Sequence, residues 1–233
     1  MYFNHTSTAL SFVVEMVAPH GSYEPIFGTN PIAIGVPRCI PPTLPSIGES
    51  TGGPDAVSSN TTTAGSLPPV VLDMATSAFA WYGVKSAAAN NEPIPGDVAW
   101  DATGNATTDP AAALGGALRS FDRSYKGSHL GLMVELLAGA FTGAAMSDKT
   151  TNKNWGTVVL VLHPNLLGDQ DGFVERVKEM CTRVHGAKPL PSCEGKPNYL
   201  PGERGDLATE KHLQKGVLEV PTEVYSRLLA MKK

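Results

Sequence analysis

Charge is scarce in this chain of 233 residues: only 17% are Asp, Glu, Lys or Arg, and neither sign dominates, with 18 basic against 22 acidic side chains and a net charge of -4. The two signs are interspersed, so there is no basic stripe to neutralise a phosphate backbone, which argues against nucleic-acid binding. Long hydrophobic runs are missing too. The stretch from Leu130 to Phe141 is broken by Gly131, Glu135 and Gly139 and falls short of the roughly 20 apolar residues a membrane span needs. Cysteine is sparse: Cys39, Cys181 and Cys193 are an odd set without CxxC spacing, which supplies neither a disulfide framework nor a structural zinc site and suits a reducing compartment. The six histidines, His5, His20, His129, His163, His185 and His212, include no HExxH pair, so no metal site is expected. Walker A, GxGxxG and GxSxG patterns are all absent, which removes the ordinary P-loop, Rossmann and serine-hydrolase readings. Met1 to Phe12 has neither a positive n-region nor a continuous apolar stretch. A secretory signal is therefore not expected, a cytoplasmic location is, and the sequons at Asn4, Asn60 and Asn105 read as chance matches.

What is present is enough apolar material, 42% of residues, for one full core or two small ones. Pro31 to Val36 reads as a short buried strand entered through Gly28-Thr29-Asn30, and Pro69 to Leu72 as a second strand. Between them, residues 38–69 are rich in Pro, Ser, Thr and Gly. That composition buries too little to offset the entropy of ordering it, so the segment reads as a low-complexity insertion looping out of a hairpin. A helix is predicted over Ala78 to Asn91 with Thr76 or Ser77 as N-cap. Another follows Lys126-Gly127, with Leu130, Met133, Val134, Leu137 and Phe141 on one face. Gly156 to His163 reads as a β-branched strand, and Asp171 opens an amphipathic helix. The C-terminal part offers a Gly/Pro loop from Lys188 to Gly205 and a helix near Leu207 to Gln214. A strand at Gly216 to Val220 and a helix opened by Pro221 complete it. The class is α/β, in the sense of mixed α+β.

Two segments have the chemistry of anion sites: Asp73-Met-Ala-Thr-Ser77 and Tyr125-Lys-Gly127 each precede a predicted helix whose free N–H groups and dipole favour negative charge, and Lys126 adds a full cation. Asp73 and Asp101 read as a cap and a turn residue before they read as acids or bases. His129 reads as a hydrogen-bonded structural histidine.

Val17-Ala-Pro-His-Gly-Ser22, Gly28-Thr-Asn-Pro-Ile-Ala33, Val71-Leu-Asp-Met-Ala-Thr-Ser77 and Asp101-Ala-Thr-Gly-Asn-Ala-Thr-Thr-Asp-Pro110 occur in this order. Lys126-Gly127, the segment from Met133 to Gly139, and Leu200-Pro-Gly-Glu-Arg204 follow. Together they resemble the malate/L-lactate dehydrogenase family of the second type, which is unrelated to the Rossmann lactate and malate dehydrogenases. The resemblance spans residues 17–233 apart from the insertion, leaving residues 1–16 as a poorly matching N-terminal segment.

It implies a family-specific NAD(P)-binding fold with a central mixed sheet flanked by helices, usually in a homodimer. The implied activity moves a hydride between nicotinamide, as NAD or NADP, and C2 of a 2-hydroxy or 2-oxo acid. By motif match Ala75, Thr76 and Ser77 would line the cofactor, Lys126 would contact it, and Pro201, Gly202 and Glu203 would close over it. Lys153 stands near the place where family members can carry a substrate-binding arginine, though a lysine cannot form a bidentate clamp. The family's usual region before Val-Ala-Pro, with its catalytic histidine, has almost no counterpart here, so the chain reads as N-terminally truncated. No catalytic residue is assigned: Asn4-His5 matches the histidine motif only superficially. Glu15, near a usual Ser or Thr, would repel a cofactor phosphate. A dehydrogenase and a non-catalytic remnant acting as a binding protein both remain open.

Overall fold

The computed structural model describes residues 7–8, 15–39, 67–146, 156–166, 168–220 and 222–231. The chain divides into two compact units, Met1–Lys178 and Glu179–Lys233. In chain order the first unit contains β1 (Ser7–Thr8), β2 (Ile32–Val36), β3 (Val70–Met74), α1 (Trp81–Asn90), β4 (Ala99–Trp100), α2 (Pro110–Leu114), β5 (Ala117–Leu118) and α3 (Tyr125–Val134). A π-helical turn, Glu135–Ala140, then β6 (Thr157–Val158) and the start of α4 (Gln170–His185) follow. The second unit holds the end of α4, α5 (Glu203–Lys215) and α6 (Thr222–Ala230).

The expected α/β class is what the chain adopts. Among the described residues the strands pair antiparallel, β1 with β6, β2 with β3 and β4 with β5. The mixed character lies at the centre of the first unit, where Leu118 of β5 bridges Val17 in parallel while Val17 bridges Phe27 antiparallel. Met16, Val17, Phe27 and Leu118 are buried there against Val84 of α1 and Val98. Gly116 is fixed by this crossing: a Cβ on it would collide with the backbone carbonyl of Trp100.

The hairpin read from the sequence is present in full register, from Ile32 opposite Met74 to Val36 opposite Val70. Its open end is tied by Arg38, whose Nε donates to the Pro68 carbonyl, and by the Cys39 thiol 3.8 Å from the Leu67 carbonyl. Residues 40–66, most of the predicted insertion, lie outside the described residues.

Four expectations are corrected. The helix expected from Ala78 starts at Trp81, with Ala80 at the N-cap and no side-chain cap. The hydroxyls of Thr76 and Ser77 are committed instead to the carbonyls of Thr29 and Phe79, at 3.2 and 2.8 Å. The strand expected over Gly156 to His163 shrinks to two residues. Beyond β6 the chain finds no pairing edge among the described residues, and Val159 is 54% exposed. Gly216 to Val220 forms no strand for the same reason, with Leu218 73% exposed. Lastly, α3 and its π-helical extension form where predicted but bury the opposite face. Gly127, Ser128, Gly131, Glu135 and Ala138 point inward with Val134, while Leu130, Met133, Leu137 and Phe141 are open to solvent.

The small inward face lets the Gly28–Asn30 turn dock directly on the helix. The buried Glu135 carboxylate accepts from the Gly28 amide at 3.0 Å, and Asn30, held at a left-handed φ of 42°, donates through Nδ2 to the Gly131 carbonyl at 3.0 Å. Removing the acceptor strands a buried amide. Glu135→Ala is expected to lower the unfolding free energy by about 2 kcal/mol, measured as a shift of the urea midpoint at unchanged slope.

Candidate functional site

Three of the segments singled out in the sequence meet at the start of α3. Met74 ends β3, and the chain then passes Ala75, bends at Thr76 and reaches Ser77. The Thr76 amide donates to the Thr29 carbonyl at 2.9 Å, the Phe121 amide donates to the Thr76 carbonyl at 2.9 Å, and Ser77 bridges Ser120. Segments far apart in sequence are thus laced together by backbone bonds, and Thr76 and Ser77 are both buried. This lacing also corrects the first anion-site reading: Ala75 to Ser77 do not open a helix, and the Thr76 amide is already bonded.

The second helix start is real but filled from within. Ser124 is the N-cap of α3, its hydroxyl accepting from the Lys126 amide at 3.3 Å. Asp122 Oδ1 accepts from the amides of Gly127 and Ser124, each at 3.0 Å, and from the Ser120 hydroxyl at 3.3 Å. Oδ2 takes the Ser124 hydroxyl. Burial opposes the charged form of Asp122, but the hydroxyl and amide of Ser124, the Gly127 amide and the Ser120 hydroxyl together outweigh it and hold the carboxyl down at about 2. An internal carboxylate therefore occupies the place where an external anion was expected. Glycine at 127 is required, since a Cβ there would strike the Asp122 carboxylate.

What the helix start keeps for a ligand is Lys126, exposed and with no carboxylate partner among the described residues. Tyr125 beside it stands edge-on between two imidazoles, with His129 at 5.6 Å and His20 at 6.3 Å between ring centroids. The His20 amide donates to the buried Ser128 hydroxyl at 2.9 Å, which fixes the Val17–Ser22 segment over the first turns of α3. An anionic ligand would meet charge here and not a ready amide cradle, because Lys126 has no carboxylate partner among the described residues while the amides of Thr76, Lys126 and Gly127 are taken.

In the second unit Pro201, Gly202 and Glu203 form the turn that opens α5. Gly202 sits at a φ of 95°, where a side chain is strained. The Glu203 carboxylate folds back to accept from the Leu200 amide at 2.8 Å and meets His185 Nε2 at 2.9 Å. Lys153, Asn4 and His5 lie outside the described residues, as does Pro221. Asp101 is a turn residue, as expected. Hydrogen bonds from the Thr103 hydroxyl, then from the Asn105 and Thr103 amides, hold its carboxyl below the usual range. Asp73 instead sits within β3 opposite Ala33. Among the described residues no cluster of His, Cys, Asp or Glu could hold a metal ion, and no helix is long and apolar enough to cross a membrane.

The profile of the malate/L-lactate dehydrogenase family matches residues 51–229. The chain belongs to that family. Relatives of this dehydrogenase-family chain include Delta(1)-pyrroline-2-carboxylate reductase 1 of Burkholderia ambifaria, 35% identical over 92% of this chain and 55% of that protein. The L-sulfolactate dehydrogenase of Methanothermobacter thermautotrophicus is 30% identical over 93% of this chain and 55% of its own length. Among solved structures, the delta1-piperideine-2-carboxylate reductase of Pseudomonas syringae superposes with a TM-score of 0.66 at 31% identity, over 97% of this chain and 57% of that one. The sulfolactate dehydrogenase of Methanocaldococcus jannaschii gives 0.67 at 27% identity, over 92% and 54%. This family member spans about half the length of the curated relatives it matches.

The sequence reading missed Asp122 and Glu135 as organisers of the site. Asp122 carried a signal, an acidic residue two positions before a Ser N-cap. Glu135 also carried one, a lone acid in an apolar helix. Because Asp122 falls from 3.8 to about 2 on folding, its contribution is fully present above pH 3.8 and is lost as pH drops through about 2. Asp122→Asn is therefore expected to cost about 1 kcal/mol at neutral pH and to flatten the fall in stability between those two pH values, both read from denaturant midpoints across pH.

Proposed function

We propose that this chain works as an NAD(P)-dependent oxidoreductase on a small 2-oxo or 2-hydroxy acid, or on the cyclic 2-imino acid that is its nitrogen counterpart. Membership of the malate/L-lactate dehydrogenase family supports the reaction type. The pyrroline-2-carboxylate and sulfolactate enzymes among its relatives support a substrate with a carboxylate beside the carbon that is reduced. The observation that carries the reading is the exposed ammonium of Lys126 in the first turn of α3, without a carboxylate partner among the described residues. A cation held there on a rigid, well-capped helix attracts the phosphates of a dinucleotide without any rearrangement of the chain.

In this reading Ala75, Thr76, Ser77 and Lys126 of the first unit hold the dinucleotide. Lys153 contributes charge toward the substrate carboxylate. A nicotinamide held by these residues would supply the hydride chemistry. The protein's part is to fix the phosphates and orient the ring. Ala75–Ser77 suits the orienting role because its backbone is clamped between Thr29 and Phe121. The proposal includes a homodimer, and leaves NAD and NADP as the two cofactors to be compared.

Titration of the chain with NADH and NADPH, followed by nicotinamide fluorescence, tests the reading, with pyruvate, oxaloacetate and a cyclic 2-imino acid added afterward as substrates. Saturable binding with turnover supports it, and a folded chain that binds neither nucleotide overturns it. Lys126→Ala is expected to weaken the favoured nucleotide by roughly 10-fold with no change in thermal midpoint; unchanged affinity would remove Lys126 from the site.

A further inference from the structure

A cleft of about 300 Å³ opens in the first unit between the Pro19–Tyr23 loop, Trp100 and the Arg119–Arg123 segment. That volume lies at the small end of ligand sites. Its walls include Arg119, Arg123, His20 and the buried Ser120, and among the described residues no aspartate or glutamate lines it.

Both guanidinium groups are held in place. Arg119 lies over the Trp100 ring, 4.5 Å from its centroid, and donates through Nη2 to the Arg123 carbonyl at 3.3 Å. Stacking fixes the plane of a guanidinium while leaving its edge of N–H groups free. Of the five N–H donors an arginine carries, that Nη2 bond is the one Arg119 makes among the described residues.

Arg123 adopts a left-handed φ of 57°, a conformation a non-glycine residue holds only when its surroundings impose it. Its amide donates to the Ser120 carbonyl at 2.9 Å and its Nη1 to Phe121. Arg123 Nε lies 2.9 Å from the carboxylate of Asp97, but the N–H does not point at that oxygen. It remains a buried donor without a hydrogen bond among the described residues. The other acid of the neighbourhood, Asp122, is turned inward to Ser120, Ser124 and Gly127. The cleft thus has two oriented guanidinium groups, Arg123 with the Asp97 carboxylate beside its buried Nε and Arg119 with no carboxylate partner among the described residues.

We propose that this cleft is a binding site for a small organic oxyanion, a carboxylate or a phosphate monoester, gripped by the free edge of Arg119 with Arg123 alongside. Both oxyanions present paired oxygens to a planar fork, so the chemistry is shared and the source is decided by experiment. The assignment does not rest on the dinucleotide reading, because the cleft uses neither Lys126 nor the second unit and the Arg119 variants below report on this cleft alone.

The test is calorimetric titration of the whole chain with pyruvate, acetate, 2′-AMP and inorganic phosphate, repeated on Arg119→Met and Arg119→Lys. Methionine keeps an apolar side chain against Trp100 and removes the charge, while lysine keeps the charge and removes the fork. Saturable binding that weakens at least 10-fold in R119M and less in R119K, with thermal midpoints unchanged, is the expected result. A preference for pyruvate and acetate identifies a carboxylate ligand, and one for 2′-AMP and phosphate a phosphate monoester. Equal affinity in R119M, or no saturable binding of any of the four by the folded wild-type chain, would overturn the assignment.

Discussion

The bond from the Gly28 amide to the buried Glu135 carboxylate sets the geometry on which the first unit depends. It joins a turn of the Val17–Asn30 segment to the inner face of α3, which is built largely of small residues. Gly131 lies opposite Thr76, where a Cβ would stand at van der Waals contact, 3.4 Å from the threonine hydroxyl. At the same level the Asn30 amide enters the helix ladder at the Gly131 carbonyl, and the Glu135 amide is shared between the carbonyls of Gly131 and Leu132. The helix widens into its π-helical turn at Glu135. Insertion of a side-chain donor into the i to i−4 ladder is a recognised cause of such widening. The same contact that anchors the turn therefore also shapes the helix that receives it.

A second carboxylate does the corresponding work at the other end of α3. Asp122 gathers the Gly127 and Ser124 amides and two hydroxyls, neutralising the positive end of the helix with a group the chain supplies itself. This changes what the helix can offer a ligand. Backbone amides are a phosphate cradle only while they are unbonded, and here they are bonded. Attraction toward an anion must then come from side chains, and Lys126, held in the first turn by the Ser124 cap, is positioned for it.

The hairpin of β2 and β3 was legible because alternation, flanking Gly and Pro, and an intervening polar stretch all agreed, and α4 because its apolar residues recur at helical spacing. The inner face of α3 was not legible from periodicity. Hydrophobicity picks the side of Leu130, Met133 and Leu137, but docking of a backbone turn selects the side with the least side-chain volume, which puts Gly131 and Ala138 inward. Strand lengths at β6 and near Val217 failed for a different reason. A β-branched run states a preference, and a strand forms only where a pairing edge exists. At the site, the ordered motifs picked out segments that the fold brings together, while the acceptors that take up the Thr76 and Gly127 amides are Thr29 and Asp122, of which Asp122 alone carried a local signal, as an acid two positions before a Ser N-cap.

Scarcity of charge gives weight to the few places where cations collect. Arg119 and Arg123 fall within the short connection leading into α3 and Lys126 in its first turn, in a chain with a net charge of -4. The acid inside that connection, Asp122, turns its oxygens toward amides and hydroxyls of the same segment. The overall charge of the chain is a poor guide to what this region attracts, since exposed charges farther away than about 8–10 Å are largely screened at physiological salt. Within that range the connection presents ammonium and guanidinium groups, and the local potential, not the sum, selects the ligand. A negatively charged protein can in this way present cations locally, Lys126 in the first turn of α3 and Arg119 ahead of it, because the carboxylate between them, Asp122, is spent on the scaffold.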